Sequence, residues 1–214
     1  RDVAPSRGLG DVYKRQLIMA KENIRRKLYG VGILGEGKYS AGKDKAAYKT
    51  WCGMLDRCYS EKRRELYKSY DGCIVCKEWL DFQNFAEFFY CNINERGWQI
   101  DKDILCKNNK IYSPQTCLAV PSEINKLFVR RKKYRGDLPI GVHYESDRSR
   151  YKASLHDGSG KTKFLGRFHT AEDAFRAYKE AKEKIIRQKA SEYREIISEK
   201  LFNALMNYQV EITD

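Results

Sequence analysis

The sequence predicts an α+β protein: a helical and strand–strand–helix core, then a three-stranded sheet packed on one helix, then a C-terminal helix. Three observations carry this. Apolar side chains recur every three to four residues over residues 46–58 and again from Phe82 to Phe89. The period changes to alternation at Trp98. Beyond residue 138, three short strand-like runs lead into a helix with a capping-box start, Thr170-Ala-Glu-Asp173.

Taken in order, Asp11-Val-Tyr-Lys-Arg-Gln16 resembles the in-frame translation of a transposon-end adapter, so residues 1–18 are read as a non-native leader and Met19 as a natural start. Residues 19–45 read as a flexible N-terminal arm, in which the Gly/Lys-rich stretch 30–45 is polar and turn-prone, a flexible arm or a loose hairpin. Order is expected to begin near Ala46. Tyr48, Trp51, Leu55 and Cys58 share one helical face, and Asp81 caps a second helix bearing Phe82, Phe85, Ala86, Phe88 and Phe89. That aromatic stripe is core rather than a stacking platform, since each buried Phe is worth ~1.5–3 kcal/mol. Trp98–Leu105 and Thr116–Val120 follow as strands around a Lys107–Lys110 turn, and Pro121 opens a helix to Val129. The first module thus spans 46–129, and 130–138 is a basic linker. The second module, 139–190, holds strands 141–144, 150–156 and 162–168 and a helix from Ala171 to about Tyr193. Ala174, Ala177, Tyr178, Ala181 and Ile185 give that helix a small face for the sheet. Residues 191–214 end in a helix over 198–208.

Composition removes several function classes. The chain has 214 residues, a formal net charge of +13, and no apolar run near the ~20 residues a bilayer crossing needs. Residues 126–189 alone hold 18 basic and 8 acidic side chains. Charge clustered this way points to a polyanion partner, duplex nucleic acid first and RNA as the competitor, while the missing apolar run argues against a membrane. The seven cysteines are odd in number, and no secretory signal precedes them, so a reducing, cytoplasmic setting is expected. Only Cys73 and Cys76 have metal-like spacing. Without a second C-x2-C, structural thiols are favoured over zinc, for which Cys106 and Cys117 would be the remaining ligands.

Alternation assigns the faces of the second module. Tyr151, Ala153 and Leu155 point to the helix, and Lys152, Ser154 and His156 point outward. Thr162 and Phe164 join the outward face if Leu165 and Phe168 support the core. Gly141-Val142, Tyr151–Leu155, Phe164-Leu-Gly-Arg-Phe168, Thr170–Ala174, Ala177-Tyr178 and Ala181 together resemble the ethylene-response-factor (APETALA-type) DNA-binding domain, over about residues 139–187. The resemblance implies a three-stranded antiparallel sheet that enters the major groove of double-stranded DNA. It places His143, Arg148, Arg150, Ser154, His156, Thr162 and Phe164 at DNA-contacting positions, with Lys152 added from its outward direction. His143 and His156 stand where the plant domains have Arg, and Phe164 stands for Trp. One residue is inserted between the first two strands, beside Arg148.

The first module is similar to the ββα-metal fold of HNH nucleases, in the form found in phage homing-type endonucleases, from about Ala46 to Phe128. Leu80-x-Phe82-x-Asn84-Phe85, Ile100-Asp-Lys-Asp103, Asn109, Tyr112-Ser-Pro114, Cys117 and Asn125 carry the similarity. It implies a phage or mobile-element setting in a bacterial cell. By position it makes Asp101 and Asn125 ligands of Mg2+ or another divalent cation, puts Lys102 at the general-base position, and makes Asn109 (or Asn108) the loop residue that orients it. Asp103, read on the same strand face as Asp101, joins it as a ligand of Mg2+ with waters attached. The family's base is a His, and all three histidines here (143, 156, 169) lie in the second module. A free Lys has a pKa of ~10.4 and is a poor base at neutral pH. The expected function is therefore duplex DNA binding beside a degenerate nuclease unit. The alternative is a Mg2+-dependent endonuclease that nicks or cleaves DNA.

Overall fold

The apolar spacing that predicts helices near residues 46 and 82 has a structural counterpart in the computed structural model, which describes residues 27–93, 96–129, 136–158, 160–212 and 214. The leader (1–18), the start of the arm (19–26) and most of the basic linker (130–135) lie outside the described residues. The fold is mixed α+β. Its described residues fall into two compact units, drawn from Arg1–Phe88 with Lys110–Ser113, and from Phe89–Asn109 with Pro114–Asp214. No helix among them is long and apolar enough to cross a membrane.

In the first unit, helix α1 (Lys45–Tyr59) buries Ala47, Trp51, Met54, Leu55 and Cys58 along one face. Ser60 ends it and caps the short α2 (Glu61–Leu66), accepting the Arg63 N–H. Strand β1 (Ile74–Val75) lies parallel to β3 (Ile111–Tyr112). A 3-10 turn over Lys77–Leu80 then leads into α3 (Phe82–Asn92). Asp81 caps α3 by accepting the Gln83 N–H at 2.9 Å. Trp51 donates its indole N–H to the Trp79 carbonyl at 2.7 Å, and the Trp79 ring meets Phe85 edge-on at 5.2 Å. The Phe stripe is core as expected: Phe82, Phe85 and Ala86 are fully buried.

The arm behaves differently from its composition. From Leu28 on it is tied to this unit. Ile33 donates to the Leu80 carbonyl and accepts from Phe82 N–H, at 2.9 Å each. The Gln83 amide spans the arm, donating to the Leu34 and Tyr39 carbonyls and accepting the Tyr39 N–H. Backbone groups satisfied by one long-range side chain do not show in local composition, which is why the stretch reads as flexible.

In the second unit, β2 (Gln99–Asp101) pairs antiparallel with β4 (Leu118–Val120), and α4 (Ser122–Lys126) follows directly. Strands β5 (Val142–Glu145), β6 (Arg150–His156) and β7 (Thr162–Phe168) form the antiparallel sheet in sequence order. Helix α5 (Ala171–Glu192) packs on it, capped by Thr170, which accepts the Asp173 N–H at 3.1 Å. Helix α6 (Glu199–Met206) closes the unit, capped by Ser198. Helix α5 serves two cores. Its first half meets the sheet through Ala174, with Val142 and Ala153. Its second half joins Ile186 and Ala190 to Leu118, Val120 and Ile124 and to Leu201 and Leu205 of α6. Gly141 marks the tightest sheet–helix approach. Its φ is +78°, and a β-carbon there would overlap the Tyr178 ring.

One expected strand is cut short. Trp98–Leu105 is extended only over Gln99–Asp101. The Asp101 carboxylate stops it, its Oδ1 accepting the N–H groups of Asp103 and Ile104 at 2.8 Å each. An Asp side chain that bonds to the backbone two residues on offers the chain a turn in place of a ladder.

Candidate nucleic-acid interface

The outward face of the β5–β6–β7 sheet is built by alternation plus one irregularity. His143, Lys152 and Arg167 are register partners across the three strands, and Glu145 pairs with Arg150 in the next outward row. Between Ala153 and Ser154 the ladder shifts, so that Ala153 faces Gly166 while Ser154 faces Phe164 and Leu165 is the extra residue. Gly166 takes a φ of +144° there, a backbone state a side chain would resist. The bulge reverses parity. Phe164 and Thr162 point outward before it and Arg167 points outward after it, while Leu165 and Phe168 both join the core.

Every sheet position expected to contact DNA lies on this face: His143, Arg150, Lys152, Ser154, His156, Thr162 and Phe164. His143, His156 and Thr162 are exposed, and Phe164 keeps 52% of its surface open, a large ring left out of the core. Arg148 lies off the face, in the β5–β6 turn, 3.5 Å from the Asp147 carboxylate. Arg167 is not among the positions that alternation or the resemblance supplies. The sequence does hold the clue, because Leu165 and Phe168 can both face inward only if a residue is inserted between them.

The charges on the face are arranged around one carboxylate. Glu145 Oε2 accepts Arg167 Nε–H at 2.6 Å, Oε1 accepts an Nη2–H at 3.4 Å, and Lys152 Nζ stands 3.8 Å from Oε1. The Arg167 hydrogen bond holds the Glu145 carboxyl below its usual range. The Arg167 guanidinium also lies over the Phe164 ring, 5.1 Å from its centroid. Arg150 donates to the neighbouring Ser149 carbonyl.

The second candidate region, around β2, is organised in the opposite way. Lys102 is buried, at 6% exposure. Its ammonium donates to Asp103 Oδ1 at 2.7 Å and to the Asn109 carbonyl at 2.5 Å, and the Asn109 amide returns a bond to the Lys102 carbonyl at 3.0 Å. The pair joins a buried ammonium to a carboxylate that stays partly open to solvent. Asp101 and Asp103 do not share a strand face, because the Asp101 turn ends the strand between them. Asn125 reaches the Gln99 side chain rather than Asp101.

These residues do not fit a divalent cation as they stand. One Asp101 oxygen is spent on two backbone N–H groups, and burial pushes its carboxyl up against their influence. Asp103 already binds the Lys102 ammonium, which supplies the positive charge a metal would bring. The Lys102 Nζ is turned to Asp103 and the Asn109 carbonyl, and is committed there as a donor. No step through a metal is derived from this region. Among the described residues there is no group of three or more His, Cys, Asp or Glu placed to hold a metal ion. Cys73 and Cys76 belong to the first unit and Cys106 and Cys117 to the second.

Comparison with protein-family models, with curated proteins and with solved structures finds no match to this chain.

Proposed function

We propose that the chain binds double-stranded DNA by laying the outward face of the β5–β6–β7 sheet into the major groove. The observation that carries the reading is that face itself: Arg150, Lys152 and Arg167 with His143 and His156, one carboxylate among them, and an exposed Phe164. Three strands ~4.8 Å apart are about 10 Å across, which suits a groove ~12 Å wide. The resemblance of residues 139–187 to the ethylene-response-factor domain supports the same reading, as does the excess of basic residues over 126–189.

The Lys102-centred turn serves in this reading as a strut that holds β2 and the Asn109 loop, not as a reaction centre. The experiment is a pair of assays on the full chain. Electrophoretic retardation of a duplex at low salt is expected, and its absence overturns the binding reading. Plasmid nicking in Mg2+ or Mn2+ is expected to be no greater for wild type than for Asp101→Ala. Metal-dependent nicks that the substitution abolishes would establish the endonuclease instead.

A further inference from the structure

We infer that Arg167 reads a guanine in the bound duplex, and that Glu145 is the residue that positions it. The inference rests on the DNA-binding reading above and adds to it the base recognised and the side chain that recognises it.

The geometry leaves Arg167 half engaged. A guanidinium has five N–H donors along two usable edges. Glu145 takes the Nε/Nη2 edge, at 2.6 and 3.4 Å, so the outer edge, one N–H from each terminal nitrogen, stays unspent. The Phe164 ring, its centroid 5.1 Å away, fixes the plane of the fork. With 39% of its side chain exposed, Arg167 stands in the middle row of the face, in register with Lys152 and His143. Two parallel donors match the O6 and N7 acceptors that guanine alone presents together in the major groove. Holding the fork before contact lowers the ordering cost of binding, and that is where a positioning carboxylate gains affinity for the right base. Glu145 also repels phosphate. It therefore weakens binding to unselected sequence while sharpening the choice of the guanine.

That opposition separates this role from a plain staple between β5 and β7. The test begins with selection of duplexes from a random pool by the full-length wild-type chain, followed by binding titrations on the selected duplex and on single-base-pair replacements. Arg167→Lys keeps the charge and loses the fork; it is expected to lose roughly 5- to 150-fold of discrimination at one guanine and little elsewhere. Glu145→Ala is expected to bind unselected duplexes more tightly than wild type and to discriminate less at that same guanine. Glu145→Gln, which keeps an acceptor, is expected to fall between. Thermal unfolding of each variant checks that the sheet persists. Four outcomes overturn the inference while DNA binding stands: no selected preference in wild type, full preference retained by Arg167→Lys, weaker binding of all duplexes by Glu145→Ala, or a lower unfolding midpoint as that variant's sole change. A wild-type chain that retains no duplex at all defeats the underlying reading instead.

Discussion

The sheet face and the β2 turn both place a cation beside a carboxylate, Arg167 with Glu145 and Lys102 with Asp103, at 2.6 and 2.7 Å. They differ in what is left over. Lys102 is buried and spends its donors on Asp103 and on the chain itself. Arg167 stands at the surface and keeps one edge of its fork unspent. A charged group can act on a partner only with hydrogen-bonding capacity that the fold has not consumed, and by that measure the two regions part: the turn consumes its cation within the chain, and the face keeps the capacity that the proposed binding uses. Lys182 of α5 is a third case, a cation that is buried, at 6% exposure, without an ion pair or hydrogen bond among the described residues. It lines a shallow pocket with Phe128, Ile140 and Tyr208.

The largest effect should come from emptying the face. Replacing Arg150, Lys152 and Arg167 together by Ala is expected to weaken duplex binding 100-fold or more, at roughly 1.5–3 kcal/mol per charged hydrogen bond. Urea unfolding should be nearly unchanged, because half-buried and exposed side chains outside the core contribute little to stability. The β2 turn should respond in the opposite way. Asp101→Ala leaves the Asp103 and Ile104 N–H groups without their acceptor and is expected to cost about 2–3 kcal/mol in urea unfolding. Duplex affinity at low salt should be unaltered. Reduced affinity in that variant would mean that the two regions are not separable.

Lys182 sharpens the point by removing pairing from burial. Desolvation lowers its pKa from the ordinary 10.5 to about 8. Between those pH values the unfolded chain binds a proton that the folded one does not, so this group's cost is fully present below pH 8 and fades as pH rises toward 10.5. Lys182→Met is expected to stabilise the fold by about 1–2 kcal/mol at pH 7, with the gain shrinking above pH 8. A gain that does not depend on pH would assign the effect to packing alone. The smallest effect is at the start of α5: Thr170→Ala removes the acceptor for Asp173 N–H and should cost about 1 kcal/mol, with DNA affinity unchanged.

Local physics makes much of this legible in the sequence. The faces of α1 and α3, the Asp81 and Thr170 caps, and strands β6 and β7 follow from periodicity and cap chemistry, because each depends on residues within a few positions. What stays hidden depends on single side chains acting over distance or against pattern. Asp101 ends a strand that alternation continues to Leu105. Gln83 holds an arm more than forty residues away in sequence. Lys102 occupies an inward position that alternation would give to an apolar residue. The bulge at Leu165 moves Arg167 onto the outward face, so a face read by strict alternation omits that cation.

The central claim is that the sheet face grips phosphate and base edges with cations the fold leaves unspent. Its most direct test is the salt dependence of duplex affinity for wild type and for Arg150→Ala/Lys152→Ala. The slope of log affinity against log salt should be steep for wild type and flatter by about 1.8 in the double variant, at ~0.9 for each phosphate no longer neutralised. Equal slopes and equal affinities in the two proteins would contradict it.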